Sequence, residues 1–353
     1  MTRPALTVER ALWWGPGVVL VLVLLLGPLL FTDFYLSAVI TKALWLGIAA
    51  ASLIFLAAYV GMISLGQVAL YGVAGFTMAN LVEADGGSTI AWNPWLATLA
   101  GILVAVGVGL FFGAISSRSY GIYFLMITLA FAVITYYFFA QVTDLSGSGG
   151  INNVARPGIA SNPVTDPANL FYIALGVSAA VYLLIRYLGR TPFGLALQGV
   201  RDDPSRMRAL GYNVALLRML AFGLGALIAS LAGILSVWWN TRISPGSIDL
   251  TRTIDVLVIA VIGGLYRLEG AWIGALAFAA LDNWTRGIDV IGQRFNTVIG
   301  VIFLAIVLLS PGGLMGIWQS VTGFLGRHLS RKPPTQPPLR PEPRAAGESP
   351  QAQ

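Results

Sequence analysis

The chain has 353 residues, 57% of them hydrophobic and only 10% charged, and carries a net charge of +6 with a mean hydropathy of +0.79. Soluble domains carry roughly 25% charged residues, so composition excludes a soluble globular fold, which would lack the polar surface to cover so large a core. There is no cysteine, the single histidine is His328 in the polar tail, and neither lysine, Lys42 or Lys332, lies in a GxxxxGK[ST] loop, which removes thiol chemistry, a histidine-based triad or zinc site, and nucleotide hydrolysis by this chain.

Apolar runs of about 20 residues, the length a ~30 Å hydrocarbon core demands, recur along the chain. The first, Ala11–Phe31, follows Arg3, Glu9 and Arg10. A cleaved leader is the competing reading, but Gly27–Pro28–Leu29–Leu30 offers no small-x-small cleavage site, so a retained span is expected. The next spans are Ala38–Ala58, Gln67–Val82, Trp95–Ile115, Gly121–Ala140, Leu170–Tyr187 and Leu217–Trp239, then the shorter Thr253–Tyr266 and Ala271–Asn283, and last Phe295–Ser310. Thr253–Tyr266 reaches only ~21 Å at 1.5 Å per residue and reads equally as a half-span or a re-entrant segment. The expectation is an all-α polytopic membrane protein of about ten crossings, with eight or nine as alternatives.

Charge placement orients these spans. With the N-terminus inside, 15 of the 21 Lys and Arg residues fall on the cytoplasmic side, as the positive-inside rule requires. Both termini are then cytoplasmic, and Lys42 is expected to snorkel from its helix end. The basic balance needs no nucleic acid, because the charges sit between apolar runs and form no face. Pro311–Gly312–Gly313 stops the last span. Residues 1–326 read as the membrane domain, and Arg327–Gln353, rich in proline and charge, as a disordered cytoplasmic tail that can touch anionic lipid.

Four stretches carry candidate function. Around Gly61–Gly75, four glycines accompany Ser64 and Gln67 at a helix start facing the membrane. Small residues allow close helix packing, but an intramembrane amide wants a partner or a wet cavity, and interrupted helices build solute sites in transporters. The outward loop Asp144–Asn152 has the Gly/Ser content of an anion-binding nest, which is more often merely a turn. In the cytoplasmic loop 189–216, Asp203 is a good N-cap, Pro204 fits the first helical position and Gly211 the left-handed C′ position. They bracket a helix, Pro204–Leu210, with Met207 and Leu210 on one face, away from Arg206 and Arg208. So short a helix needs packing to hold it, either against a partner's groove or against its own membrane domain. Asp255, Asp282 and Asn283 lie near the ends of the short spans, where functional and interfacial readings compete.

In order along the chain, Ser64–Leu65–Gly66–Gln67 leading to Gly72 and Gly75, Gly121–Ile122–Tyr123–Phe124 through Thr128–Leu129–Ala130, Pro192–Phe193–Gly194 through Val200–Arg201–Asp202 to Ala209–Leu210–Gly211–Tyr212, Ile262–Gly263–Gly264–Leu265, Gly270 to Gly274–Ala275, and Pro311–Gly312–Gly313–Leu314 resemble the permease subunits of branched-chain amino acid ABC transporters, of the LivM type. The likeness runs from about residue 28 to 317. It implies the ten-helix importer architecture, no cofactor and no metal. The implied partners are two ATPase subunits, a second homologous permease and an extracytoplasmic solute-binding protein. It also implies an ATPase-contact loop at Arg201, Asp202, Asp203, Arg206, Met207, Leu210 and Gly211, and a translocation pathway past Ser64, Gly66, Gln67, Thr128, Gly263 and Gly264. Two elements depart from the family pattern. The Thr-Gly-Gly-x-Asp-Gly loop is replaced by Leu145–Ser146–Gly147–Ser148–Gly149–Gly150, and the acidic-Ala-Ala element by Arg206–Met207–Arg208–Ala209. The rival readings are an ion-coupled secondary transporter, for which the spans are poor in ionisable groups, and an intramembrane enzyme, for which Asp255 and Asp282 are the only candidates.

Overall fold

A computed structural model describes residues 32–85, 91–147, 149–160 and 166–286, with isolated positions between 297 and 316. The expected span Ala11–Phe31 and the tail lie outside the described residues, as does most of Phe295–Ser310.

The described chain is helical. Helix α1, Leu36–Val60, is a 25-residue apolar rod whose two ends, Leu36–Thr41 and Leu56–Val60, widen into π-helical turns. It is followed by α2 (Gln67–Leu81), α3 (Pro94–Ser116), α4 (Ile122–Gln141), α5 (Pro167–Leu188), α6 (Pro192–Asp202), α7 (Pro204–Ala209), α8 (Val214–Asn240), α9 (Leu250–Gly263) and α10 (Gly270–Arg286). Five of these, α1, α3, α4, α5 and α8, are long and apolar enough to cross a membrane. Helices α2, α9 and α10, at 15, 14 and 17 residues, are shorter than the ~20 residues of a full crossing.

Burial sorts the bundle. Helices α1 and α8 are enclosed by protein, whereas α3, α4 and α5 show most of their apolar surface outward. In water such faces would be a liability; in lipid they are the solvent-facing side. Helix α8 packs along α1, α2 and α3, while α9 and α10 close the other side of α1. Small residues set these approaches: a methyl group at Gly233 would lie 2.1 Å from the carbonyl oxygen of Tyr71, and one at Gly109 would lie 2.3 Å from Ala226. Aromatic pairs fill the wider gaps, among them the stacked Phe112–Phe131 and Phe76–Phe139 rings at 4.1 Å.

The connections separate to two ends. At one, the segments after α2, before α5 and after α8 join by isolated bridges, Asp85 with Asn152 and Ile151 with Ile243. At the other, Gly61, Ser119, Gly189, Arg201, Arg218 and Glu269 gather. This is the arginine-rich end, and its composition matches the segments expected on the cytoplasmic side.

Candidate functional site

The chain breaks between α1 and α2. Gly61 ends α1 at φ 73°, a left-handed conformation that glycine adopts without penalty, and residues 61–66 run non-helically to the start of α2. There Ser64 Oγ accepts hydrogen bonds from the Gly66 N–H at 3.2 Å and Gln67 Nε2 at 3.4 Å. Thr128 Oγ1, on α4, accepts from the Leu65 N–H at 3.1 Å and donates to the Leu125 carbonyl at 3.0 Å. Ser64, Gln67 and Thr128 are 0%, 2% and 0% exposed. Gln67 Oε1 has no hydrogen-bond partner among the described residues, although a buried orphan acceptor costs about 1–3 kcal/mol. The amide faces Gly225 of α8, where a methyl group would lie 3.3 Å from Oε1. Since Gly225 is eleven residues into α8, the node sits ~16 Å along that helix, well inside the bundle. Four of the six positions assigned to a pathway, Ser64, Gly66, Gln67 and Thr128, therefore meet in one place.

Gly263 and Gly264 lie elsewhere. They form the turn between α9 and α10, where a methyl group at Gly263 would fall 1.8 Å from the Gly270 carbonyl oxygen. Gly264, at φ 120°, lies against Gly313. Their geometry is that of two backbones in contact.

At the arginine-rich end, the short helix appears where its signals place it. Asp203 accepts from the N–H groups of Ser205 and Arg206 at 2.9 and 3.0 Å, and Gly211 takes φ 89° as the Tyr212 N–H bonds back to the Met207 carbonyl at 3.1 Å. The expected Met207/Leu210 face is split, however. Met207 is 9% exposed and packs on Ala196, Val200 and Val214; Leu210 is 66% exposed. The cause is helix α6, which lies in the stretch expected as loop. Thr191 caps it by accepting from the Gly194 N–H at 3.3 Å, and Gly199 lies against the Met207 sulfur. The Thr191–Pro192 pair, an N-cap before proline at N1, was the available signal. Helices α6 and α7 thus form an elbow that holds Met207 inside and presents Asp202, Arg206, Arg208 and Leu210 outward.

Arg201 ties this elbow to the break. Its Nη1 donates to the Ala58 carbonyl at 2.5 Å and its Nε to Asp202 at 2.9 Å, while its Cγ packs against Gly61. A guanidinium at the carbonyl end of α1 is favoured by the helix dipole. One side chain thereby joins α6 to the segment that leads to Gln67.

Lys42 departs from its expected snorkelling, and two open readings gain local partners. Lys42 turns into the bundle and pairs with Asp282 of α10, the two side chains being 13% and 6% exposed. Asp255 pairs with Arg252 at 3.5 Å. In the loop 144–152, Thr143–Ser146 form a helical turn, and Gly150 and Ile151 pack and pair with Ile243 and Ser244. The described part of this loop is thus a strut between connections; Ser148 lies outside the described residues. Arg156 reaches the Trp238 carbonyl at 3.2 Å in the same region, and its partial burial pulls its pKa below the ordinary guanidinium value.

Apolar helices with outward-facing hydrophobic sides and a polar break in the middle of the bundle define a polytopic helical membrane protein. The profile of the family described as the branched-chain amino acid transport system / permease component matches residues 35–309, and the chain belongs to that family. It is 26% identical over 279 residues to the high-affinity branched-chain amino acid transport system permease protein LivM of Salmonella typhimurium, covering 72% of this chain and 64% of the relative. It is 30% identical over 134 residues to BraD of Pseudomonas aeruginosa, covering 38% and 43% of the two chains. It is 26% identical over 164 residues to the probable permease protein LivH of Methanocaldococcus jannaschii, covering 44% and 50%. The chain thus spans just under two thirds of the length of the LivM relative. No solved structure matches.

Proposed function

We propose that this chain is a permease subunit of an ATP-powered importer for branched-chain amino acids or related small amino acids and amides. Two ATPase subunits and a second homologous permease complete the membrane complex in this reading, and an extracytoplasmic binding protein delivers the solute. The observation that carries the reading is membership of a transport permease family over residues 35–309 in a chain without a nucleotide-binding loop. About ten crossings of the inner membrane, with both termini and the α6–α7 elbow cytoplasmic, fit the distribution of Lys and Arg. Residues 1–326 would then be the membrane domain, and 327–353 a tail.

Arg201, Asp202, Asp203, Arg206, Leu210 and Gly211 supply or shape the surface that an ATPase subunit grips, with Met207 acting as the internal pin of the elbow. Ser64, Gly66, Gln67 and Thr128 form the pathway constriction, and Gly263 and Gly264, away from it, let α9 and α10 pack backbone to backbone. An ion-coupled mechanism would call for ionisable groups along the pathway, whereas the constriction at Ser64, Gly66, Gln67 and Thr128 is built of neutral groups. Co-expression with the neighbouring open reading frames tests the reading. An ATPase and a second permease should co-purify, and reconstituted uptake should need ATP and survive collapse of the proton gradient. Uptake by the isolated chain without ATP would overturn it.

A further inference from the structure

We propose, resting on the importer reading, that the break between α1 and α2 recognises the zwitterionic head of an α-amino acid, with the first N–H groups of α2 taking the carboxylate and Gln67 Oε1 taking the ammonium. A helix leaves its first N–H groups without intrahelical partners. In α2, the N–H groups of Gln67, Val68 and Ala69 find no acceptor among the described residues: Ser64 Oγ and Thr128 Oγ1 are engaged by Gly66 and Leu65 instead, and the first helical bond runs from the Leu70 N–H to the Gly66 carbonyl. These residues are buried, so bulk water does not satisfy them in this conformation.

The second observation is independent of the helix end. Gln67 is 2% exposed, and its Oε1 is an unpartnered acceptor on the first residue of α2, its amide anchored at the helix start by the Nε2–Ser64 Oγ contact. Donors with the positive end of a helix dipole, next to a lone acceptor, complement a group carrying a negative and a positive charge a few ångströms apart. A simple anion would leave the acceptor unused; a simple cation would leave the N–H groups unused. The α2 and α4 helices contain no charged residue, the one lysine of α1 is at its far end, and Arg218 of α8 stacks on Tyr120, 4.1 Å from the ring centroid; the charge tied to the break, Arg201, is already engaged by the Ala58 carbonyl and by Asp202. Leu56 and Phe222 flank the node and offer an aliphatic side chain an apolar wall. Gly225 is the backbone that closes the site over Gln67, so substrate access requires α8 to draw back from α2 there.

Two substitutions in the assembled transporter test this. Gln67→Met keeps the volume and deletes the acceptor; Gly225→Ala places a methyl group 3.3 Å from Oε1 and fills the niche without altering Gln67. Gln67→Met removes the orphan acceptor together with the long bond from Nε2 to Ser64 Oγ, and these offset one another; in Gly225→Ala the better helix propensity offsets a tight methyl contact, so both complexes should melt close to the wild-type temperature. Uptake of L-leucine or L-valine from the loaded binding protein should nevertheless fall about tenfold or more, the cost of one charge-assisted hydrogen bond. Wild-type uptake within twofold in both variants would overturn the assignment while leaving the importer reading intact. A fall in melting temperature matching the fall in uptake, or failure of both to assemble, would make Gln67 a packing residue and also overturn it. If the wild-type complex takes up neither amino acid in the presence of ATP, the importer reading itself fails.

Discussion

Arg201 shows how much a single side chain can join. It spans the elbow, the last carbonyls of α1 and Gly61, so truncating it removes a charge-assisted bond worth about 1.5–3 kcal/mol in general, less here because the side chain is 38% exposed. Arg201→Met should lower the stability of the complex by about 1 kcal/mol yet reduce coupled uptake severalfold. ATPase and transport assays on one preparation check this, and an unchanged ratio of ATP hydrolysed to solute moved would exclude a linking role. Met207→Asp is of another kind: the carboxylate would be buried against Gly199 and Val200, and isolated buried charge is expensive. We expect the elbow to unfold locally, read out as protease cleavage near residue 207 in the variant and none in the wild type.

At the scale of elements, the Lys42–Asp282 pair fastens the start of α1 to α10. Removing one partner of a buried pair costs about 3–5 kcal/mol, whereas replacing both by apolar groups is often neutral. Lys42→Met and Asp282→Leu should each destabilise the complex strongly, and the double variant should recover most of the loss in thermal melts. Additive losses would show that the two do not act as a pair. Helix α7 depends on its ends: Asp203→Ala should cost about 1 kcal/mol of cap. Gly211→Pro is incompatible with φ 89°, since proline is locked near −65°; it should uncouple ATP hydrolysis from uptake while the membrane helices remain folded by circular dichroism.

These elements also mark how far the sequence was legible. The long apolar spans were readable within a few residues because their length and composition carry the signal. The α7 caps were readable because Asp203, Pro204 and Gly211 have local chemistry that needs no tertiary context. Helix α6 is announced by Thr191–Pro192 alone, because its short apolar pattern lies in a stretch too polar to read as a span. Met207 could not be placed inward without α6 to receive it. Lys42 meeting Asp282 is a contact across 240 positions, and no periodicity encodes it. Gln67 stood out as an amide in an apolar run; its missing partner is visible only in three dimensions.

For the whole molecule, the two ends of the bundle have different jobs in this account. The end with the bridged loops around Asp85, Asn152 and Ile243 is stiffened by backbone pairing and suits a docking surface for a binding protein. The arginine-rich end carries the elbow and, through Arg201, the start of the break. Because the chain lacks cysteine, sidedness is directly measurable: a cysteine at Asn153 should react with an impermeant maleimide in intact cells, and one at Arg208 only after lysis.

The most direct test is a cross-link. With Leu210→Cys in the permease and single cysteines scanned along the co-expressed ATPase, the account predicts a disulfide-linked permease–ATPase pair whose yield changes when ATP binds. Labelling of position 210 from the cell exterior, or no cross-link to any second polypeptide, would contradict it.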